Sequence, residues 1–276
     1  MDLTRAGPQA VRALAGIGIL LVLLALSTWP ARPQQSDRTP GLATALEAAS
    51  WVALRPGVSR LQLSVQSGIR LLAFRLDHGA LEPRIIVADD RKGQRVADIV
   101  ATTGAVLAIN GGYFDAAADG TLTPTGLVIS RGQHLHPLTS CRACSGVLVV
   151  SGGRIDIRWA NAFVPSARVA SALQVGPLLV EPGGRNGINR QTGPKAARSA
   201  VCVTPIADII VAVASPLTLY ELATLLRQPP PAGFGCDTAI NLDGGPSTSL
   251  ASTLSGPAVT FGASSKVQNF LAFFAP

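Results

Sequence analysis

Lysine, histidine and methionine are nearly absent from the chain, with three, three and one in 276 residues. The formal charge of +7 therefore rests on arginine, and no basic run is longer than the pair Arg91-Lys92. Nucleic-acid binders concentrate such charge in patches, so this dispersal argues against a nucleic-acid partner. A scattered basic surface still favours anionic substrates by steering. Charged residues are only 14% and aromatics 5%, which argues against a disordered chain and against a carbohydrate module built on stacked rings. Signatures of common chemistries are missing too: no G-x-S-x-G elbow, no H-E-x-x-H, no P-loop and no dinucleotide-binding glycine pattern. With His78, His134 and His136 as its only histidines, the chain is poorly supplied for a serine triad. His134 and His136 alone make an incomplete metal set. The groups left for catalysis are carboxylate, amide, arginine and backbone donors.

Among what is present, the N-terminus stands out. Arg5 and Arg12 precede the uncharged run "ALAGIGILLVLLAL" at residues 13–26. A positive region followed by an apolar one of this length marks residues 1–31 as a signal peptide or an N-terminal membrane anchor. The anchor reading uses residues 13–29. Either predicts an exported protein on the periplasmic or extracellular face of the envelope. Residues 32–44 are polar and proline-rich and read as a linker, leaving one domain over 45–276. Export also predicts paired cysteines, locally between Cys141 and Cys144 and over a long span between Cys202 and Cys236.

Within the domain, alternating stretches such as "SRLQLSV" and "IRLLAFRLD" read as half-buried strands. "GVLVVSGGRIDIRW" reads as a hairpin turning at Gly152-Gly153, and "SAVCV" with "DIIVAVAS" as another strand pair. Helical spacing is confined to "QRVADIVATTG", ending at Gly104, and to "TLYELATLLRQ", with Leu219, Leu222, Leu225 and Leu226 on one face. Strands outnumber helices and are rarely separated by them. The expected fold class is α+β, with mixed, mostly antiparallel sheets and a few helices in a single domain.

Two segments share a grammar of apolar strand, polar side chain and paired glycines: "VLAINGGYFD" at 106–115 and "TAINLDGGPSTS" at 238–249. Each strand would deliver a polar residue, Asn110 or Asp243, to its exposed end. The glycines would then let the backbone approach a ligand. In addition, Arg198 at the start of a strand could grip an anion by its fork, and Gln174 and Gly176 in "LQVGPLLV" form a candidate neighbouring loop. Oxygen donors on Asp243, Asn110 and Asp115 would suit a divalent cation, which the sequence does not demand.

The motifs "NGGYF" (110–114), "GLVISRGQ" (126–133), "GPLLV" (176–180), "RSAVCV" (198–203), "LTLYELATLL" (217–226) and "NLDGGPSTSL" (241–250) together resemble the phosphodiester glycosidase family. The resemblance spans roughly residues 65 to 274, with Pro246 and Ser199 as departures. It implies action on sugar-1-phosphodiesters, with a carbohydrate phosphodiester as the partner. On that basis Asp243, Arg198 and Asn110 are the candidate catalytic residues. Asp243 would stabilise the anomeric centre or activate water. Arg198 would neutralise the departing phosphate, helped by Gly244, Gly245, Ser247 and Thr248. Asn110, Gly111 and Gly112 would orient the substrate with Tyr113 beside them, although exchanging the roles of the two glycine loops fits the sequence equally. The competing expectation is a non-catalytic envelope protein that binds anionic polysaccharide during export.

Overall fold

A strand whose residues all read apolar can be buried only if both of its faces are covered. The segment 209–214, the first six residues of a nine-residue strand, is such a stretch. Val211 and Val213 join one hydrophobic cluster, whereas Ile210, Ala212 and Ala214 join another on the opposite face. This alternation organises the molecule. The computed structural model describes residues 41–141, 143–166, 169–262 and 265–276.

The largest sheet has eight strands, in spatial order Val52–Arg55 (β1), Val58–Ser64 (β2), Arg70–Leu76 (β3), Ile209–Leu217 (β16), Ala196–Val203 (β15), Thr238–Asn241 (β17), Leu178–Glu181 (β13) and Arg185–Asn186 (β14). A five-stranded sheet runs Arg154–Trp159 (β11), Gly146–Ser151 (β10), Ser171–Val175 (β12), Val128–Ser130 (β8) and Gln133–His136 (β9). A second one runs Val259–Gly262 (β19), Ser249–Ser252 (β18), Leu107–Asn110 (β5), Asn269–Phe274 (β20) and Glu82–Val87 (β4). Phe114–Ala116 (β6) and Leu122–Pro124 (β7) make a separate ribbon. Every named pairing is antiparallel, as in β15 with β16 and β5 with β20. The α+β expectation therefore holds, as do the β10–β11 hairpin and the β15–β16 pair.

The central core lies where the three large sheets meet. It contains Val201, Val211 and Ile240 from the first, Leu148 and Leu173 from the second, and Ile109, Leu271 and Phe273 from the third. On its other face the eight-stranded sheet presents small residues, Ala200, Ala212, Ala214 and Ala239, to two helices. Small side chains there let helix Leu219–Arg227 (α3) come close and bury Leu222, Leu225 and Leu226. A reciprocal cap starts α3. Thr218 Oγ1 accepts from Glu221 N–H at 3.1 Å, and the Glu221 carboxylate accepts from Thr218 N–H at 2.7 Å. Helix Val96–Thr103 (α2) covers the third sheet and stops at Gly104, whose φ of 79° is left-handed.

Helix Leu42–Ala48 (α1) begins in the last three residues of the stretch read as linker and continues into the domain, and it buries Leu42 and Leu46 beneath the large sheet. It has no side-chain cap, which explains its weak sequence signal. The segment at 1–31 read as a signal peptide or anchor, with residues 32–40 of the expected linker, lies outside the described residues. Among the described residues no helix is long and apolar enough to cross a membrane.

Both expected disulfides form, Cys141–Cys144 and Cys202–Cys236. The second ties β15 to the segment that leaves α3 and leads into β17, and both its cysteines are buried. Changing Cys202 and Cys236 together to alanine should lower unfolding free energy by about 2–5 kcal/mol. Urea titration of wild type and variant checks this; equal midpoints would remove the staple from the account of stability.

Candidate active site

The strand β17 is buried along its whole length, and its ladder continues beyond it. Leu242 N–H donates to Ser199 O at 2.9 Å, and the Leu242 side chain is buried in the central core. Alternation then turns Asn241 and Asp243 to the opposite face, the face of Ala239. The register pairs Ala200 with Asn241, and carried one step further it sets Arg198 across from Asp243. Here the acid after the strand is not serving a surface turn; it is pressed into the sheet's end and half-buried.

Burial raises the Asp243 carboxyl above its ordinary range, opposed by hydrogen bonds from the Ser247 side chain and the Gly244 N–H, the latter at 2.9 Å. Arg198 lies half-buried as well. Its Nε donates to Leu217 O at 3.0 Å and its Nη2 to Pro194 O at 2.7 Å, which fixes the guanidinium. Among the described residues it forms no ion pair with Asp243. Burial lowers its affinity for a proton, and the Tyr113 side chain raises it. The charge is held in place without being neutralised.

Asn110 has a different part from the one the sequence suggests. It is completely buried, and its carboxamide is committed to protein. Nδ2 donates to Asp243 O at 2.8 Å, while Oδ1 accepts from Ser199 Oγ at 2.7 Å and Ser249 N–H at 3.1 Å. The side chain therefore clamps the two glycine loops together and cannot orient a sugar. Asp243 N–H completes the clamp by donating to Gly111 O at 3.0 Å.

Gly111 and Gly112 are likewise corrected from ligand contacts to packing positions. Their N–H groups donate to Asn269, to its main-chain oxygen at 2.8 Å and to its Oδ1 at 2.6 Å. A Cβ on Gly111 would collide with Asn269 Oδ1, and one on Gly112 would come within 2.9 Å of Val175 Cγ1. Gln174 is buried, its Oε1 accepting from Leu127 N–H and Thr139 N–H, both at 3.0 Å, and its Nε2 donating to Thr139 O at 2.8 Å. It staples the Leu127, Thr139 and Cys144 segments, and both ends of its carboxamide are committed to protein. Thr248 is completely buried, and Gly244 N–H is taken by Asp243.

Tyr113, Gly176, Gly245 and Ser247 remain at the site. The Tyr113 hydroxyl donates to Gly176 O and accepts from Asn241 Nδ2 at 3.1 Å. Burial raises its pKa; of the remaining influences, Asn241 and Arg198 lower it and Asp243 raises it. The phenol is thus in electrostatic reach of both Asp243 and Arg198. Gly245 has a left-handed φ of 59° with open space where a side chain would stand, and its carbonyl accepts from Thr248 N–H at 3.2 Å.

The sequence reading passed over Ser199, Asn241 and Asn269. Ser199 and Asn241 flank already chosen residues on strands, and each polar side chain in an apolar strand was a signal. Asn269 gave no warning, because the nearer of its partner glycines, Gly112, is 157 positions away. Asp115 is exposed on β6, and His136 Nδ1 bonds Gly126 O at 3.0 Å. Among the described residues no three His, Cys, Asp or Glu side chains gather as a metal cluster.

Residues 103–274 match the family described as phosphodiester glycosidase. This chain belongs to that family. It also shares its fold with the catalytic domain of zebrafish N-acetylglucosamine-1-phosphodiester alpha-N-acetylglucosaminidase, solved auto-inhibited by its pro-peptide. That likeness has a TM-score of 0.61 at 14% identity, over 83% of this chain and 88% of the zebrafish one. A hypothetical protein from Synechocystis matches with a TM-score of 0.56 and 17% identity over 83% of this chain. The match takes in 64% of the Synechocystis protein, less than two thirds of its length. Among curated proteins none matches.

Asp243→Asn should be at least as stable as wild type at neutral pH. A carboxyl raised by burial favours its neutral form in the folded state, so ionisation costs stability as pH climbs through the ordinary carboxylate range to the raised value. Asparagine carries no such cost. The difference should vanish below the ordinary range, and thermal melts across pH measure it. Asn110→Ala should destabilise by about 2–4 kcal/mol, since it leaves Ser199, Ser249 and Asp243 groups unpaired in the interior. Denaturant unfolding reads that loss, and a cost under about 0.5 kcal/mol would refute the clamp.

Proposed function

We propose that this protein is an exported hydrolase that cleaves sugar-1-phosphodiesters in an envelope or extracellular glycoconjugate. One observation carries the reading: a desolvated carboxylate, Asp243, stands across from a fixed, unneutralised guanidinium, Arg198, in a chain of the phosphodiester glycosidase family. The zebrafish relative's printed activity, on an N-acetylglucosamine-1-phosphodiester, supports the same bond class. Two disulfides support export. Within this reading residues 1–31 are the leader or anchor, 32–44 the linker and 45–276 the catalytic domain.

The leaving group of such a substrate is a phosphate monoester, stable once released. A strong general acid is therefore less necessary than in hydrolysis of ordinary glycosides, where two carboxyl groups share the work. One carboxylate suffices to take the proton from water as the anomeric bond breaks. Arg198 compensates the charge that collects on the departing phosphate. Ser247 holds the Asp243 carboxylate through its hydroxyl. None of these steps calls for a cofactor.

The test incubates the full-length chain with UDP-N-acetylglucosamine and a panel of hexose-1-phosphodiesters and follows released reducing sugar. Wild type should release sugar, and Asp243→Asn should do so about 10²–10⁴-fold more slowly. The rate should also fall as pH drops through the raised pKa of Asp243, placing the acid limb above the ordinary carboxylate range. Unchanged turnover in Asp243→Asn would remove the acid from the mechanism. Glycan binding by folded wild type without any release would replace the hydrolase with a binding protein.

A further inference from the structure

The Arg198 guanidinium has three nitrogens, and two of them are spent on main-chain oxygens. Nε donates to Leu217 O at 3.0 Å and Nη2 to Pro194 O at 2.7 Å. Among the described residues Nη1 has no hydrogen-bond partner. The buried side-chain atoms left unpaired there are Arg227 Nε, Asn241 Oδ1 and Thr248 Oγ1, and Nη1 is not one of them. It therefore keeps surface that a ligand can touch. Its place is beside Gly244, where an added Cβ would stand 3.8 Å from it. The free nitrogen thus borders the residue that follows Asp243.

The two oxygens that hold the fork belong to one closed circuit. Leu217 precedes Thr218, whose N–H donates to Glu221 Oε2 at 2.7 Å. The other carboxylate oxygen, Oε1, stands 3.2 Å from Lys195 Nζ. Lys195 in turn follows Pro194, whose oxygen closes the circuit on Arg198. Glu221 is thus shared between the cap of α3 and the cation nearest to Arg198 in sequence. Its charge cancels that of Lys195. The guanidinium is left with one positive charge, presented through one nitrogen.

Resting on the hydrolase reading, we propose that this circuit sets the selectivity of the site for phosphate charge, with Glu221 as the residue that determines it. Nη1 takes one non-bridging oxygen of the phosphodiester, and the fork, turned into the main chain, makes no bidentate grip on it. A phosphodiester carries one negative charge, which one guanidinium balances. A phosphate monoester carries about 1.5 to 2 at neutral pH. Lys195 has the second positive charge such a group needs, and Glu221 withholds it. The site therefore holds its substrate without holding the product phosphate more tightly. A sugar-1-phosphate with a free phosphate end gains no advantage over its diester. Glu221 acts through Lys195 and does not itself touch substrate.

The test measures binding by calorimetry at pH 8, in the full-length chain carrying Asp243→Asn so that turnover is slowed. The ligands are N-acetylglucosamine-1-phosphate and its methyl diester, which share a sugar and differ in phosphate charge. The monoester should bind no more tightly than the diester. Adding Glu221→Gln keeps an oxygen for Thr218 N–H and frees Lys195. It should tighten the monoester about tenfold and the diester about threefold, because the attraction scales with ligand charge. Adding Lys195→Met as well should return both affinities to their starting values. A merely structural Glu221 would move the two ligands together. If Glu221→Gln does not fold, Lys195→Glu leaves the cap intact and should weaken the monoester more than the diester. Arg190→Gln, an exposed cation on the same loop but outside the circuit, should leave the ratio of affinities unchanged. Equal responses of the two ligands, a shift that survives Lys195→Met, or binding of neither ligand by folded protein would overturn the proposal. A crystal structure with the diester gives a second answer. One phosphate oxygen on Nη1, with Leu217 O and Pro194 O still bonded, supports it, and two guanidinium nitrogens on the phosphate refute it. Absence of sugar release from wild type, with the binding results as expected, would instead count against the hydrolase reading and leave the charge selectivity standing.

Discussion

The hydrogen bond from Asn110 Nδ2 to Asp243 O joins two sheets that share no strand. β5, which carries Asn110, belongs to the third sheet, and β17, which leads to Asp243, belongs to the first. Where strands of different sheets end together, backbone groups lose their ladder partners and must find others. A carboxamide suits this position because it donates to one loop and accepts from the other at once. Ser199 and Ser249 complete the junction, and Asn269 binds the glycine loop from the far side. The position of Asp243 depends on all of these.

Behind the junction, burial is arranged to leave one end of the large sheet polar. Val211, Val213, Ile240 and Leu242 fill the core between sheets, while alanines on the other face admit α3. At the sheet's end that second face changes from Ala239 to Asn241 and Asp243, and from Cys202 and Ala200 to Arg198. The helix-covered face thus runs directly into the site. This is why the Cys202–Cys236 bridge, α3 and the acid all belong to one mechanical unit.

Much of the fold was legible because its strands are apolar on regular periods and its turns are marked by glycine. α2 and α3 announced themselves by spacing. α1 was hidden by its short length and lack of a capping side chain. At the site, the two glycine loops were legible as a pair because their pattern repeats. Their division of labour was not. Both loops offer a polar residue and two glycines, but only contact over long sequence separation decides which faces outwards. Asn269 settles that Gly111 and Gly112 face protein, and nothing near residue 110 announces it.

Asn110 grips the main-chain oxygen of Asp243 and leaves the carboxylate alone. The junction therefore holds whatever residue occupies position 243, because every residue has that oxygen. Holding falls to the main chain of this residue, and its carboxylate is left free of that task. A chain built this way can exchange its acid for an amide or a hydroxyl, and so change or give up its chemistry, while the strand ends stay where they are. The same scaffold is thereby open to descendants that catalyse and descendants that only bind.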